Sequence, residues 1–321
     1  MTTLPQLLTP VDLLQRPWEP MLPKSAKTPP TGDGYLSEIK WDGIRGLISL
    51  DRGELRIRSR NQRDLTLAFP ELKNPEESFR VTGAVFDGEI VCLDEEGRPI
   101  LADVLRRIQL SREDAIERAR KRHPAVCYLF DCLFLDGRQI TQKPLERRRA
   151  WLKEVILPGS PYRMSESLAD GAALFEAAKA MGLEGIVAKE RGSFYYPGRR
   201  SSVWLKVKVR QTTACTIIGY TKGGGSRAST FGSLHLAQHT GQEFQYVGKV
   251  GTGFGKNLQS IGKALRALDR VDPPGAKCSV NARTVWVEPK LVCEIQHTSW
   301  TKHRRLREPV FVRLRPELNH P

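Results

Sequence analysis

The chain has 321 residues, 40% hydrophobic and 27% charged, with 51 Lys and Arg against 36 Asp and Glu for a formal net charge of +15. That length and apolar share suit about two globular domains that need no disulfide staples. No apolar run reaches membrane-spanning length and no basic-then-apolar leader opens the chain, so the expectation is a cytoplasmic monomer whose positive charge favours a polyanionic partner.

Residues 1–17, rich in Pro and polar side chains, predict an irregular N-terminal arm. A strand is expected over 35–40, then a turn at Asp42-Gly43 and a second strand through 47–50. Asp51-Arg52-Gly53 turns the chain back into 54–59, where Leu55 and Ile57 alternate with charges. Residues 85–93 read as a strand. Helical spacing runs over 101–122, with Val104, Leu105, Ile108 and Ala115 apolar among charges. A largely apolar strand over 126–135 ends at the Asp136-Gly137 turn. Helices follow over 145–156 and 171–181, and strands over 185–189 and 203–209.

After about residue 210 short strands predominate, over 213–220, 233–238, 244–250, 284–288 and 291–297, with a helix over 255–268 and a break at Pro273-Pro274-Gly275. Several short strands around one helix fit a five-stranded Greek-key barrel, the OB-fold, and a small mixed sandwich fits almost as well. The fold class expected for the whole chain is α+β. The cysteines Cys92, Cys127, Cys132, Cys215, Cys278 and Cys293 form no Cys-x-x-Cys pair, which argues for reduced core residues rather than a structural zinc site.

The chemistry centres on Glu38-Ile-Lys40-Trp-Asp42-Gly43-Ile-Arg45. A lysine is nucleophilic only when unprotonated, and its free pKa of about 10.4 opposes that near neutrality. Desolvation and nearby cations favour the neutral amine. Lys40 lies between Ile39 and Trp41, and Arg45, Arg60, Lys206 and Lys208 can supply the cationic field. Strand alternation in Val203-Trp-Leu-Lys-Val-Lys-Val209 puts Lys206 and Lys208 on one face, a pair that suits phosphate. Asp87 and Glu89 share a face for the same reason, and Glu184 precedes another strand. Carboxylates facing a triphosphate repel it unless a divalent cation lies between, and Mg²⁺ needs only one or two of them plus phosphate oxygens. Phe130, in an apolar strand, can stack on a base. Taken singly, each residue also fits a plainer use: an exposed strand-end lysine, a solvated edge strand, a surface salt bridge or a core phenylalanine.

Taken together, these segments resemble the covalent nucleotidyltransferases, and specifically the ATP-dependent DNA ligases. Lys40-Trp-Asp42-Gly43 matches motif I, Ser59-Arg60 the second segment, Asp87-Gly88-Glu89 the third, and Tyr128 to Asp131 its aromatic companion. Glu184 to Lys189 matches motif IV and Trp204 to Lys208 motif V. Arg305-Leu-Arg-Glu-Pro-Val-Phe311 resembles the approach to motif VI in bacterial end-joining ligases, as do Gly219 to Arg227 and Tyr246 to Gly253. The resemblance runs from about Trp18 to the end of the chain. It is nearest to the bacterial end-joining ligase D module and the stand-alone ligase C type.

The resemblance implies an ATP-grasp-like nucleotidyltransferase (adenylation) domain over 18–210 followed by an OB-fold domain over 211–321. Lys40 would take AMP from ATP. Glu38 would lie near the adenine, Phe130 would stack on it, and Arg45 and Arg60 would meet the ribose and phosphates. Lys206 and Lys208 would grip the phosphates. Glu89 would bind ribose or metal and Glu184 metal, with Mg²⁺ or Mn²⁺ as the ion. Lys222, Arg227, Arg304, Arg305 and Arg315 would face nucleic acid. The implied partners are nicked or broken duplex DNA, a Ku-type end-binding protein, and a polymerase and nuclease encoded separately.

RNA ligases and capping guanylyltransferases share the lysine motif, and a nucleic-acid-binding protein with a decayed site is the non-enzymatic alternative. An NAD-dependent ligase is disfavoured because no cysteine zinc module is present. Motif VI of the family usually ends Arg-x-Asp-Lys, whereas this chain reads Arg315-Pro-Glu317-Leu318. Slow self-adenylation with preserved sealing of pre-adenylated nicks is the expected consequence.

Overall fold

The computed structural model describes residues 10–240, 243–270, 272, 284–301 and 303–320. Residues 1–9 of the expected arm, the Pro273-Pro274-Gly275 break, Cys278 and Lys302 of the basic run lie outside the described residues. The chain divides into two compact units, Met1–Val209 and Arg210–Pro321.

Two sheets build the first unit. In spatial order, a 5-stranded sheet runs Leu22–Ala26, Arg200–Lys208, Gly185–Glu190, Tyr35–Ile39, Ser167–Leu168. Its pairings are antiparallel except for that of Leu22–Ala26 with Arg200–Lys208. A 6-stranded sheet runs Glu54–Ser59, Ile44–Asp51, Gly83–Cys92, Ala125–Leu135, Arg138–Gln139, with Tyr162–Met164 beside Ala125–Leu135. The hairpin between Ile44–Asp51 and Glu54–Ser59 turns on Arg52 (φ 47°) and Gly53 (φ 87°), the paired left-handed conformation whose twist matches that of the flanking strands. Behind this sheet Ile48, Ile57, Phe69, Phe86 and Ile90 form the main core. Each fully buried side chain of this kind contributes about 1.5–3 kcal/mol.

Helix Leu145–Val155 packs on Ala125–Leu135. Its buried stripe is Leu145, Arg148, Arg149 and Leu152, an i, i+3, i+4, i+7 row in which two of the four positions carry guanidinium groups.

Two expectations for this unit need correction. The arm is not irregular throughout, because Pro10–Gln15 is helical. Leu13 anchors it by packing with Trp18 and Met21. The single helix over 101–122 is two helices, Leu101–Arg107 and Glu113–Arg122. Between them the Gln109 and Leu110 amides bond back to the Arg106 and Arg107 carbonyls at 3.1 Å, a tighter turn that closes the first helix. Buried Arg107 fixes that end by donating to the Ala68 carbonyl and to Glu71.

In the second unit the long strand Gln211–Lys222 organises a 7-stranded antiparallel sheet. Phe231–Thr240 lies along one edge of it. On the other edge Val292–His297 pairs with residues 211–216 and Thr284–Val287 with residues 219–221. Switching partners along one strand lets a sheet coil around a core. Glu243–Val250 and Val310–Leu314 extend the two sides. Helix Leu258–Arg266 closes that core with Ile261 and Leu265, against Phe231, Phe254 and Val287. The described cysteines are buried and free, and burial pushes their thiols up, as for Cys92 to about 11. Among the described residues no helix is long and apolar enough to cross a membrane.

Candidate active site

Lys40 follows the last residue of strand Tyr35–Ile39, and its amide donates to the Gly185 carbonyl at 2.9 Å. That bond sets Lys40 beside Glu184. Two glycines make the approach possible. A Cβ on Gly43 would overlap the Ile90 carbonyl, and Gly185 combines φ 138° with a site where a Cβ would overlap the Val207 carbonyl. The Lys40 ammonium lies 2.5 Å from Glu184 Oε2, and Lys208 Nζ lies 3.1 Å from Glu184 Oε1. One carboxylate therefore bridges two ammonium groups. Beside Lys40, Trp41 stacks on Tyr128 with centroids 3.7 Å apart and planes 7° from parallel.

A cavity of about 230 Å³ opens next to Lys40. The 5-stranded sheet contributes Glu38, Val187, Lys189, Trp204 and Lys206 to its wall. Register explains the set: Glu38 pairs with Val187 and Val187 with Lys206 in one row, and Lys189 pairs with Trp204 in the next. The 6-stranded sheet contributes Arg45, Glu89 and Phe130. Arg60 and Arg200 also line the cavity, and Arg60 is exposed.

Most of these charges hold one another. Glu38, only 2% exposed, accepts from Arg149 Nη1 at 2.5 Å and from Lys189 Nζ at 2.9 and 3.1 Å. Lys189 also sits over the faces of Phe130 (4.2 Å) and Trp204 (4.4 Å). Burial lowers its pKa to about 8 against the opposing pull of Glu38. Arg45 makes a bidentate pair with Asp87 at 2.5 and 2.6 Å and stacks 4.6 Å from the Phe130 centroid. Burial alone would lower the Arg45 pKa, but Asp87 outweighs it and the net shift is upward. Tyr195 donates to Asp87 Oδ2 at 2.5 Å.

Glu89 is a lining carboxylate with no ion pair among the described residues. Burial raises its carboxyl to about 7; Arg45 and Lys40 oppose the rise, and Glu184 and Asp87 add to it. A carboxyl in that state gains from a cation placed beside it. Among the described residues no cluster of three or more His, Cys, Asp or Glu forms a metal cage. The oxygen donors of Glu89 and Glu184 are of the kind Mg²⁺ takes, and one or two carboxylates would suffice to hold it.

The structure thus gathers Lys40, Glu38, Arg45, Arg60, Glu89, Phe130 and Lys206 around one cavity, with Glu184 and Lys208 joined to Lys40 through ion pairs. Sequence reasoning gives Arg149 no place in the site, and it assigns Asp87 and Lys189 no part in holding Arg45 and Glu38. A usable signal existed for Arg149, since two arginines on the apolar stripe of a helix must find buried partners. Alternation likewise puts Trp204 on the face of Lys206 and Lys208.

The basic residues of the second unit differ in use. Lys222 is exposed at the end of its strand. Arg227 donates to the Gly232 and Gly251 carbonyls at 3.3 and 3.1 Å. Arg304 is exposed and bonds to Gln245 at 3.4 Å. Arg305 lies 4.3 Å from the Tyr246 centroid and bonds to the Tyr246 carbonyl. Arg315 pairs with Glu294 at 2.9 Å and with Glu317. Leu318 is 42% exposed.

Comparison with known proteins gives two family matches: the ATP dependent DNA ligase domain over residues 20–208 and the ATP dependent DNA ligase C terminal region over residues 227–318. The multifunctional non-homologous end joining protein LigD of Mycolicibacterium smegmatis is 35% identical over 287 residues, covering 88% of this chain and 36% of that protein. The LigD of Pseudomonas aeruginosa is 33% identical over 309 residues, covering 93% of this chain and 35% of that protein. The chain thus spans about a third of the length of these relatives. A solved structure of mycobacterial DNA ligase D complexed with ATP and MES aligns with TM-score 0.55 and 30% identity, covering 94% of this chain and 96% of that one. A Lig E DNA ligase structure shares the fold at TM-score 0.58 and 19% identity, covering 92% of this chain and 98% of that one.

Proposed function

This chain belongs to the ATP-dependent DNA ligases, and we propose that it seals breaks in duplex DNA through AMP carried on Lys40. The first unit is the nucleotidyltransferase adenylation domain and the second an OB-like domain. We take them as residues 18–210 and 211–321. The observation that carries the reading is the Lys40 ammonium bridged through Glu184 to Lys208, at the edge of a cavity lined by Glu38, Phe130 and Lys206.

In the first step the Lys40 amine attacks the α-phosphorus of ATP. An N–P bond forms, the bond to pyrophosphate breaks, and the amine loses a proton. Glu184 is within hydrogen-bond reach to accept that proton. Phe130 stacks on the adenine and Glu38 faces the base. Lys206 and Lys208 neutralise phosphate charge as pyrophosphate leaves, with Arg60 at the phosphates and ribose. Arg45 acts mainly by holding Asp87 and the Phe130 face. Glu89 and Glu184 would hold Mg²⁺ or Mn²⁺, which supplies neutralisation of the phosphate oxygens. In the second step an oxygen of the 5′-phosphate attacks the AMP phosphorus and Lys40 leaves with a proton. In the third the 3′-hydroxyl attacks the 5′-phosphorus, loses its proton, and expels AMP as the strand closes.

The names of the relatives support a role in end joining, with a Ku-type end-binding protein and a separate polymerase and nuclease as partners in a bacterial cytoplasm. Lys222 and Arg304, exposed in the OB-like domain, are the basic residues best placed to meet DNA phosphates. Leu318 predicts that self-adenylation is slow relative to sealing of a pre-adenylated nick, and Leu318→Lys should speed the first step alone.

The test is sealing of a labelled nick with ATP and Mg²⁺, run beside Lys40→Ala and beside GTP. Sealing with ATP only, lost in the variant, is expected. Sealing by Lys40→Ala at the native rate contradicts the reading.

A further inference from the structure

Glu38 is a buried carboxylate with cations on most of its lone pairs. Its Oε1 takes both Arg149 and Lys189, whereas Oε2 takes Lys189 alone at 3.1 Å. A carboxylate has about four acceptor sites, so Oε2 keeps one for a further donor at the cavity wall. Arg149 does more than neutralise. Its Nη2 donates to the Ser165 carbonyl at 2.7 Å and its Nη1 reaches the Phe130 carbonyl at 3.3 Å. One guanidinium therefore ties the strand carrying Glu38 to the strand carrying the stacking ring. Lys189 completes the grip from the neighbouring strand, two residues beyond Val187, the partner of Glu38.

We propose that Arg149 and Lys189 are positioning residues for nucleotide choice, fixing the Glu38 side chain so that the open site of its Oε2 takes a hydrogen bond from the exocyclic amine of adenine. This rests on the reading that Glu38 faces the base. A purine with a carbonyl at that edge would set acceptor against acceptor in a buried site, which costs far more than the loss of one contact. Were the Glu38 carboxylate free to turn away, that mismatch would be relieved and the discrimination would vanish. The two cations prevent this, because Arg149 holds Oε1 and Lys189 holds both oxygens in place.

The experiment measures kcat/KM for formation of the Lys40 nucleotide adduct with ATP and with inosine triphosphate, which differs in having a carbonyl for the amine. Full-length native protein, Glu38→Gln, Arg149→Met, Arg149→Lys and Lys189→Met are compared, each checked for its melting temperature. The native enzyme should prefer ATP by at least about 100-fold. Arg149→Met and Lys189→Met should reduce that ratio to under about 10-fold, with Arg149→Lys keeping part of it. If Glu38→Gln collapses the ratio while both Met variants slow the two nucleotides equally, the clamp is structural only and the proposal is overturned. If Glu38→Gln keeps the native ratio, the reading of Glu38 itself fails and takes the proposal with it.

Discussion

Around the cavity of the adenylation domain, arginines pair with buried carboxylates; in the OB-like domain, most of the basic residues assigned to DNA instead hold loops. Arg45 pairs with Asp87, Arg148 with Asp131 and Arg149 with Glu38, and none of these side chains is more than 16% exposed. Arg227 and Arg305 instead cap backbone carbonyls, and Arg315 answers two glutamates. The contrast teaches that a net charge of +15 does not locate a polyanion site. What matters is whether a cation has an internal partner and whether that partner is buried.

The largest effect expected from breaking this contrast is at Asp131. Asp131→Ala would leave Arg148, at 0% exposure, without its bidentate partner. Removing one member of such a pair costs about 3–5 kcal/mol, read as a large fall in the urea midpoint of the adenylation domain. A midpoint unmoved by more than the error would mean that the frame is not electrostatically coupled.

Acid should act next, and on the OB-like domain. Burial, reinforced by Lys249 on the paired strand, lowers His235 to about 4, and its ring is bonded to Tyr246 and Thr284. Between about pH 6.5 and 4 the unfolded chain binds the proton more tightly than the folded one, so stability falls as pH falls through that window. The full shift corresponds to about 3 kcal/mol. His297, buried and also lowered, acts in the same sense. Urea unfolding at pH 7 and pH 4.5 should show the loss, and His235→Gln should flatten it; an equal acid loss in that variant would assign the effect elsewhere.

Smaller effects separate loop-holding from DNA-facing cations. Arg227→Ala removes a charged donor from two carbonyls and should cost about 1–2 kcal/mol of stability. Lys222→Ala should change stability by less than about 0.5 kcal/mol, yet lower the salt dependence of nick binding by roughly one unit of slope. If the two variants exchange these signatures, the comparison between the loops is wrong.

Much of the adenylation domain was legible because a period of two fixes which side chains share a face. Lys206 and Lys208, or Asp87 and Glu89, could be placed without knowing the neighbouring strand. Their partners could not, since Arg149 reaches Glu38 across 111 positions of sequence and Lys189 across 151. The spacing over 101–122 suggests one helix because its charges mask the tight turn at residues 109–110, beside which buried Arg107 meets Glu71. Pro10–Gln15 was missed for a similar reason: a short helix is made by its packing, here Leu13 against Trp18, and not by propensity. In the OB-like domain the strands were visible, but the uses of Arg227, Arg305 and Arg315 depend on carbonyls and acids that only the fold brings near.

Sealing by this route requires one amine to carry the nucleotide. Incubating the protein with ATP and Mg²⁺, digesting it and locating the added AMP by mass spectrometry identifies that amine. AMP is expected on the peptide holding Lys40, bound by an acid-labile phosphoramidate and discharged when nicked DNA is added. AMP on another residue, or nicks sealed with no adduct formed, would contradict that assignment.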